Sequence, residues 1–174
     1  MADSIGQTGA RGLAAQTRSP HGAAEMNRAV YHGPLGPLTV AEDGGQVVSL
    51  NWRDEPGTGS VLLDEALCQL NAYFDRRLDR FDLPLAFGTG FNARVRRAMF
   101  AIPFGATRTC GDIARAVQAP AQAVGQACGA NPIPIIIPCH RVLAATGLGG
   151  FSAKGGVETK VWLLRHEGAA SLLI

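Results

Sequence analysis

Long hydrophobic runs are missing from this chain of 174 residues. The aliphatic stretch Ile135-Ile136-Ile137 falls far short of the roughly 20 apolar residues a membrane-spanning helix needs. No basic-then-apolar leader opens the sequence, so neither a membrane nor a secreted protein is expected. Cysteine is scarce: Cys68, Cys110, Cys128 and Cys139 are the four present. No CxxC spacing occurs among them, so reduced thiols are expected rather than a disulfide framework. The cysteines and His21, His32 and His166 lie at no ligand-like spacing, and no metal centre is expected. Charge is sparse at 17% of residues, whereas hydrophobic residues reach 47%. That composition excludes a wholly disordered chain and supplies the surface for a packed core.

The net charge of +2 conceals an asymmetry. Residues 1–90 hold seven Arg against eleven acidic residues, a balance of −4. Residues 91–174 hold nine basic against three acidic residues, a balance of +6. Either a few charges fell unevenly by chance, or the C-terminal half alone meets a polyanion.

Residues 1–27 are rich in Gly, Ala, Ser, Thr and Gln, lack apolar periodicity and read as a disordered tail. Two strand-like stretches, 38–42 and 46–52, flank the tight-turn signal Asp43-Gly44-Gly45 and predict a hairpin. Ser60 opens an amphipathic helix with Leu63, Leu67, Leu70 and Phe74 on one face. Residues 82–90, punctuated by Pro84, Gly88 and Gly90, read as a linker. The first domain, 28–86, carries no chemically suggestive cluster and reads as scaffolding. In the second, 90–169, Asn92 caps a helix running to about Ala101, and Pro103 stops it. Short helices follow at 111–117 and 121–128, with Pro120 at the first turn of the latter and Gly129 ending it. A tight connection between two short helices fits a helix-turn-helix. One face of helix 121–128 carries only Ala and Gly and lets another backbone approach closely, either a neighbouring helix or a nucleic-acid groove. Gln122 is the long polar side chain near its start.

Chemistry concentrates in Asn131-Pro132-Ile133-Pro134-Ile135-Ile136-Ile137-Pro138-Cys139-His140-Arg141-Val142. The pattern predicts an aliphatic strand that stops at Pro138, which has no N–H to donate. Cys139 then stands at a strand end, where clefts form. A free thiol is only a few per cent ionised at neutral pH, and an imidazole that takes its proton would raise that fraction. Neighbours on a strand face opposite sides, so His140 would reach the thiol through a turn or a water. The alternative is a buried apolar cysteine beside a satisfied histidine. A helix over 157–166 ends at Glu167, where a carboxylate opposes the helix dipole. Such a carboxylate either orients a histidine or is merely solvated.

The run from Asn131 to Val142 resembles the signature of the O6-alkylguanine-DNA alkyltransferases. The likeness extends upstream through Ile102-Pro103-Phe104-Gly105 and Gly111-Asp112-Ile113-Ala114. Downstream it takes in Gly150-Phe151-Ser152, Gly155-Gly156, Lys160, Leu163-Leu164 and Glu167. It implies a small α/β, ribonuclease-H-like N-terminal domain. It implies a mainly α C-terminal domain with a winged-helix-like helix-turn-helix that binds DNA. The implied activity is direct repair, with an alkyl group taken from O6 of guanine, less readily from O4 of thymine, in duplex DNA. No cofactor and no membrane are implied; the protein would be a cytoplasmic monomer, at the nucleoid when bound to DNA.

By the same resemblance Cys139 is the nucleophile, His140 activates it through a water, Glu167 orients His140, and Asn131 buttresses the cysteine's turn. Cys110, Val142, Phe151 and Ser152 line the base pocket. Gln122, Ala123, Gly125, Ala127 and Arg141 meet DNA, with helix 121–128 in the minor groove and the target base flipped out. The thioether product is stable, so each molecule acts once. Two positions depart from the family pattern: Gln122 replaces a common arginine, and Cys110 stands where a tyrosine usually contacts the leaving guanine. Ala153-Lys154 also separate Ser152 from Gly155-Gly156. Two competing readings remain. One is a DNA-binding relative that recognises alkylated bases without repairing them, although such relatives lack the cysteine. The other is an unrelated thiol hydrolase, which would need an oxyanion hole.

Overall fold

The computed structural model describes residues 26–169; most of the expected disordered tail lies outside them. Three strands, β1 (Asn27–Gly33), β2 (Gly36–Asp43) and β3 (Gln46–Asn51), form an antiparallel sheet in the order β1-β2-β3. The expected hairpin is present. Asp43 pairs with Gln46, and Gly44 and Gly45 adopt φ of +56° and +76°. Positive φ at both central residues is what a twist-compatible two-residue turn requires.

Strand β1 corrects the sequence reading, which placed Asn27 in the tail and found no strand before residue 38. Asn27 already pairs with Glu42, and Gly33 pairs with Gly36. An edge strand whose side chains are at most half-buried carries no clean apolar alternation. The turn between β1 and β2 places Pro34 second and Gly36 fourth, the preference of a type I turn.

Helix α1 (Val61–Phe74) begins at Ser60, whose hydroxyl accepts the Leu63 N–H at 3.2 Å. It packs across β1 and β2 and buries Leu63, Ala66, Leu70 and Tyr73. The expected linker is also corrected. Phe81, Leu83 and Leu85 alternate into the core. Val47 N–H donates to Pro84 O, and Ala86 N–H donates to Val47 O, which adds a short parallel bridge at Leu85 beside β3. Pro84 needs no N–H there because only its carbonyl is used.

Helix α2 (Gly90–Phe100) starts two residues before the expected Asn92, after Thr89. Strand β4 (Arg108–Thr109) leads into α3 (Cys110–Val117), closed by a reciprocal capping box between Thr109 and Asp112. Gln118 ends α3 in the left-handed region, and Pro120 precedes α4 (Ala121–Gly129) as its cap rather than lying in its first turn. A 3₁₀ turn (Cys139–Arg141), strand β5 (Val142–Leu143) parallel to β4, and α5 (Gly156–His166) complete the order. One apolar cluster runs through both halves, from Leu38 and Leu63 to Met99, Ile137 and Leu163. Among the described residues no helix is long and apolar enough to cross a membrane.

Candidate active site

The segment before Cys139 is a compact, buried turn and not the expected aliphatic strand. Pro132, Pro134 and Pro138 remove every second or fourth ladder donor, so no sheet can take the segment up. Its backbone bonds close locally, from Ile137 N–H to Ile133 O and from Cys139 N–H to Ile137 O. Ile133, Ile135, Ile136 and Ile137 all enter the core. Ile135 holds φ at +71°, an outlier for a β-branched residue. Asn131 clamps this turn from within. Its Nδ2 donates to Ile137 O at 2.8 Å, and its Oδ1 accepts Ile133 N–H at 3.1 Å. The cysteine is thereby presented on a rigid base.

Cys139, His140 and Arg141 follow on one 3₁₀ turn. His140 is fully buried, and its Nε2 lies 2.7 Å from Glu167 Oε1. Arg141 Nε and Nη2 donate to the two Glu167 oxygens at 2.8 and 3.0 Å. Tyr73 OH donates to Oε1 at 2.6 Å. Gly105 N–H approaches Oε2 at 3.5 Å; with φ at +77° it packs so close that a Cβ would stand 2.9 Å from the Glu167 carbonyl. Burial alone would raise the Glu167 carboxyl, but hydrogen bonds and charge from His140 and Arg141 outweigh it and hold the group far below the carboxylate range. An ionised Glu167 can only accept, so Nε2 carries the imidazole proton and Nδ1 keeps its lone pair. That Nδ1 is buried with no protein partner. Burial lowers the His140 pKa and favours the neutral imidazole, the form able to take a proton.

Cys139 sits in a cleft of about 440 Å³ and is 6% exposed. Burial pushes its thiol up, while the Asn131 amide and the Lys160 ammonium pull the other way. Lys160 is buried in the cleft wall, and its Nζ donates to Val142 O at 2.6 Å and Gly150 O at 3.3 Å. Burial lowers its own pKa. Cys110, Val142, Phe151 and Ser152 line the same cleft. Cys128 also lines it, its thiol pushed up to about 12 by burial and by the neighbouring Cys110 and Cys139. Helix α4 exposes Gln122, Gly125 and Gln126; Gly125 lines the cleft, and a Cβ there would meet nothing within 4 Å.

Residues 90–169 match the family model for the 6-O-methylguanine DNA methyltransferase, DNA binding domain, and residues 26–87 match that for its ribonuclease-like domain. The chain belongs to the 6-O-methylguanine DNA methyltransferase family. The methylated-DNA–protein-cysteine methyltransferase of Mycobacterium tuberculosis is 43% identical over 150 residues, which cover 77% of this chain and 87% of the relative. That of Methanosarcina acetivorans is 38% identical over 157 residues, covering 83% and 99%. Among solved structures, Mycobacterium tuberculosis O6-methylguanine methyltransferase aligns with a TM-score of 0.73 at 38% identity, covering 86% of this chain and 99% of that one. Mycobacterium tuberculosis OGT in complex with DNA aligns at 0.70 and 38%, covering 85% and 99%.

Within this methyltransferase fold the expected site residues separate into two groups. Cys139, His140, Glu167 and Asn131 gather around one turn, and the four expected pocket residues share the cleft. Two of the residues expected at DNA do not reach the surface. Arg141 is 5% exposed, its guanidinium committed to Glu167 and to Ile102 O, so it neutralises a buried carboxylate rather than a phosphate. Ala127 is 4% exposed and faces the core with Val124, about half a turn round the helix from the outward Gly125.

Three contacts at the site were not foreseen in the sequence. Tyr73 reaches Glu167 across 94 positions of sequence, and nothing distinguishes it there from an ordinary helix aromatic. Lys160 belongs to the family likeness but carries no implied role there, and it is buried in the cleft that holds the thiol. Trp52, just beyond β3, packs edge-on against Phe151 of the cleft wall, with ring centroids 6.4 Å apart.

Proposed function

We propose that this protein repairs O6-methylguanine, and less readily O4-methylthymine, in duplex DNA by moving the methyl carbon onto Sγ of its own Cys139. The observation that carries the reading is the buried Glu167–His140 pair beside a thiol that opens into a cleft. His140 Nδ1 takes the thiol proton through a water. The thiolate attacks the methyl carbon, the S–C bond forms as the C–O6 bond breaks, and the electron pair leaves with guanine. Protonation then restores a normal base. The base must leave the stack to enter the cleft, and flipping it costs a few kcal/mol that contacts must repay.

The winged-helix-like reading assigns α3 and α4 as the helix pair, with β4 and β5 beside them. Helix α4 enters the minor groove with Gln122, Ala123 and Gly125 leading. The three-residue connection, the exposure of Gln122 and Gly125, and the absent side chain at Gly125 support this docking. The protein acts as a monomer with no cofactor. Intact-mass analysis after incubation with a duplex carrying one O6-methylguanine tests the function. A single methyl on the Cys139 peptide is expected for the wild type. Cys139→Ala should gain none while retaining DNA binding. Binding of the alkylated duplex by the wild type with no mass gain would instead mark a recognition protein without repair activity.

A further inference from the structure

We propose that Tyr73 is a positioning residue for the transfer reaction: its hydroxyl occupies one oxygen of Glu167 and so limits how strongly that oxygen holds the His140 N–H. The inference rests on the role given to His140 above, and it assigns a part in the chemistry to the N-terminal domain. Glu167 Oε1 accepts three donors at once, from Tyr73 OH at 2.6 Å, His140 Nε2 at 2.7 Å and Arg141 Nη2 at 3.0 Å. Three donors on one carboxylate oxygen exceed its two lone pairs, so each bond weakens the others.

The hydroxyl is aimed by packing. The Tyr73 ring is fully buried against Phe74, Phe81 and Phe104, and His166 Nε2 lies 2.9 Å from the Tyr73 carbonyl oxygen. Burial, then the charge of Glu167, raises the phenol well above its ordinary value, so it remains a donor throughout the working range. The charged groups facing His140 are Lys160 from α5, Glu167 at its C-terminal cap and Arg141 from its own turn; Tyr73 acts on it from α1 only through Glu167. Removing the hydroxyl frees Oε1 for the imidazole. A stronger bond from Nε2–H to the carboxylate favours the imidazolium, and His140 then stays protonated to higher pH. The neutral base becomes scarcer on the acid side.

Tyr73→Phe keeps the ring and deletes the donor. The test follows single-turnover methyl transfer across about pH 5 to 9, the range in which histidine changes charge. Imidazole ¹⁵N shifts of His140, recorded without DNA over the same range, give its titration directly. The acid limb of the rate and the His140 midpoint should move up together by roughly half to one pH unit, a loss of about three- to tenfold in rate on that limb. A folded Phe variant whose His140 midpoint stays at the wild-type value overturns the proposal, even if its melting temperature falls.

Should the Phe variant not fold, Tyr31→Phe protein grown with 3-fluorotyrosine places a more acidic phenol at position 73 alone, because Tyr31 and Tyr73 are the two tyrosines. The stronger donor should move the midpoint down, and no movement overturns the proposal. The imidazole titration needs no methyl transfer, so a failure of the repair reading would leave this test standing.

Discussion

Replacing Glu167 by Gln removes one charge and almost no volume from the most crowded polar contact among the described residues. Two consequences follow from the geometry. Arg141 loses its counter-charge while remaining buried, and breaking a buried pair by removing one partner typically costs about 3–5 kcal/mol. The Gln oxygen still accepts one guanidinium N–H, so a loss near the lower end is expected, roughly 6–12 °C in Tm for a chain of this size. The second consequence is kinetic. Gln can present either its oxygen or its amide to His140 Nε2, so the tautomer that leaves Nδ1 free is no longer enforced. Proton transfer of this kind supplies roughly 10²–10⁴-fold, and a partial loss of about 10–100-fold in single-turnover rate is expected within that bound.

The pH dependence separates the two effects. In the wild type Glu167 titrates below its ordinary 4.5 and His140 below its ordinary 6.5. In both cases the unfolded chain binds more protons than the folded one, so stability rises with pH. Loss on acidification therefore begins below about pH 6.5 with His140 and steepens below about pH 4.5 with Glu167. Glu167→Gln should flatten the second step, leaving the smaller loss from Asp112, whose carboxyl the Thr109 hydrogen bonds hold below its ordinary 3.8. Urea unfolding at a series of pH values measures the stability, and rapid-quench transfer to an O6-methylguanine duplex measures the rate. A variant that transfers at the wild-type rate would reduce Glu167 to an anchor for Arg141. One that loses stability below pH 4.5 as steeply as the wild type would refute the assignment of that step to Glu167.

Cys110→Tyr should speed methyl transfer, because a hydroxyl at the first turn of α3 can donate to the guanine as charge develops on it. The cleft is open on that side, with Cys110, Gly125 and Gly129 among its lining residues. Overpacking, which costs about 1–3 kcal/mol in a filled core, should therefore be small. Single-turnover kinetics beside thermal melting checks this, and a stable tyrosine variant with no gain would show that no donor is needed at position 110. DNA affinity should fall with salt but vary little with undamaged sequence. Arg141 and Lys160 are buried, so phosphates can be met only by the remaining cations of the C-terminal half. With three to five such contacts the slope of log K against log salt should be roughly −3 to −4.5. Titrations of unrelated duplexes at several salt concentrations read both, and a marked preference for one intact sequence would count against the docking of α4.

What the sequence disclosed was local. Asp43-Gly44-Gly45 declares its turn, Ser60 its cap, and Asn131 to Val142 carries the proposed nucleophile Cys139, its Asn131 clamp and the proposed base His140 within one loop. Contacts closed by tertiary packing were illegible. Nothing near Tyr73 signals that its hydroxyl ends at Glu167, and Arg141 looks like any exposed cation until the carboxylate beneath it is located. The proline-rich run misled in an instructive way. Its aliphatic residues are buried as expected, but successive prolines force a folded loop where periodicity alone suggests a strand. Strand β1 went unnoticed because an edge strand need not alternate, and Phe81, Leu83 and Leu85 were masked by the proline and glycines around them.

The burial that raises the Cys139 thiol has a consequence for how the protein is used up. A reagent consumed in one event loses a whole polypeptide to every stray electrophile or oxidant that reaches its sulfur. Attack by such agents runs through the thiolate, and a recessed, largely protonated thiol offers them little of it. In the proposed mechanism the same recess costs the intended substrate little, since a flipped base would be delivered to the floor of the cleft, where His140 would take the proton. Selectivity thus lies partly in the protein's inertness between encounters, and a variant with a more acidic, more exposed Cys139 would be depleted by cellular electrophiles before it met damaged DNA.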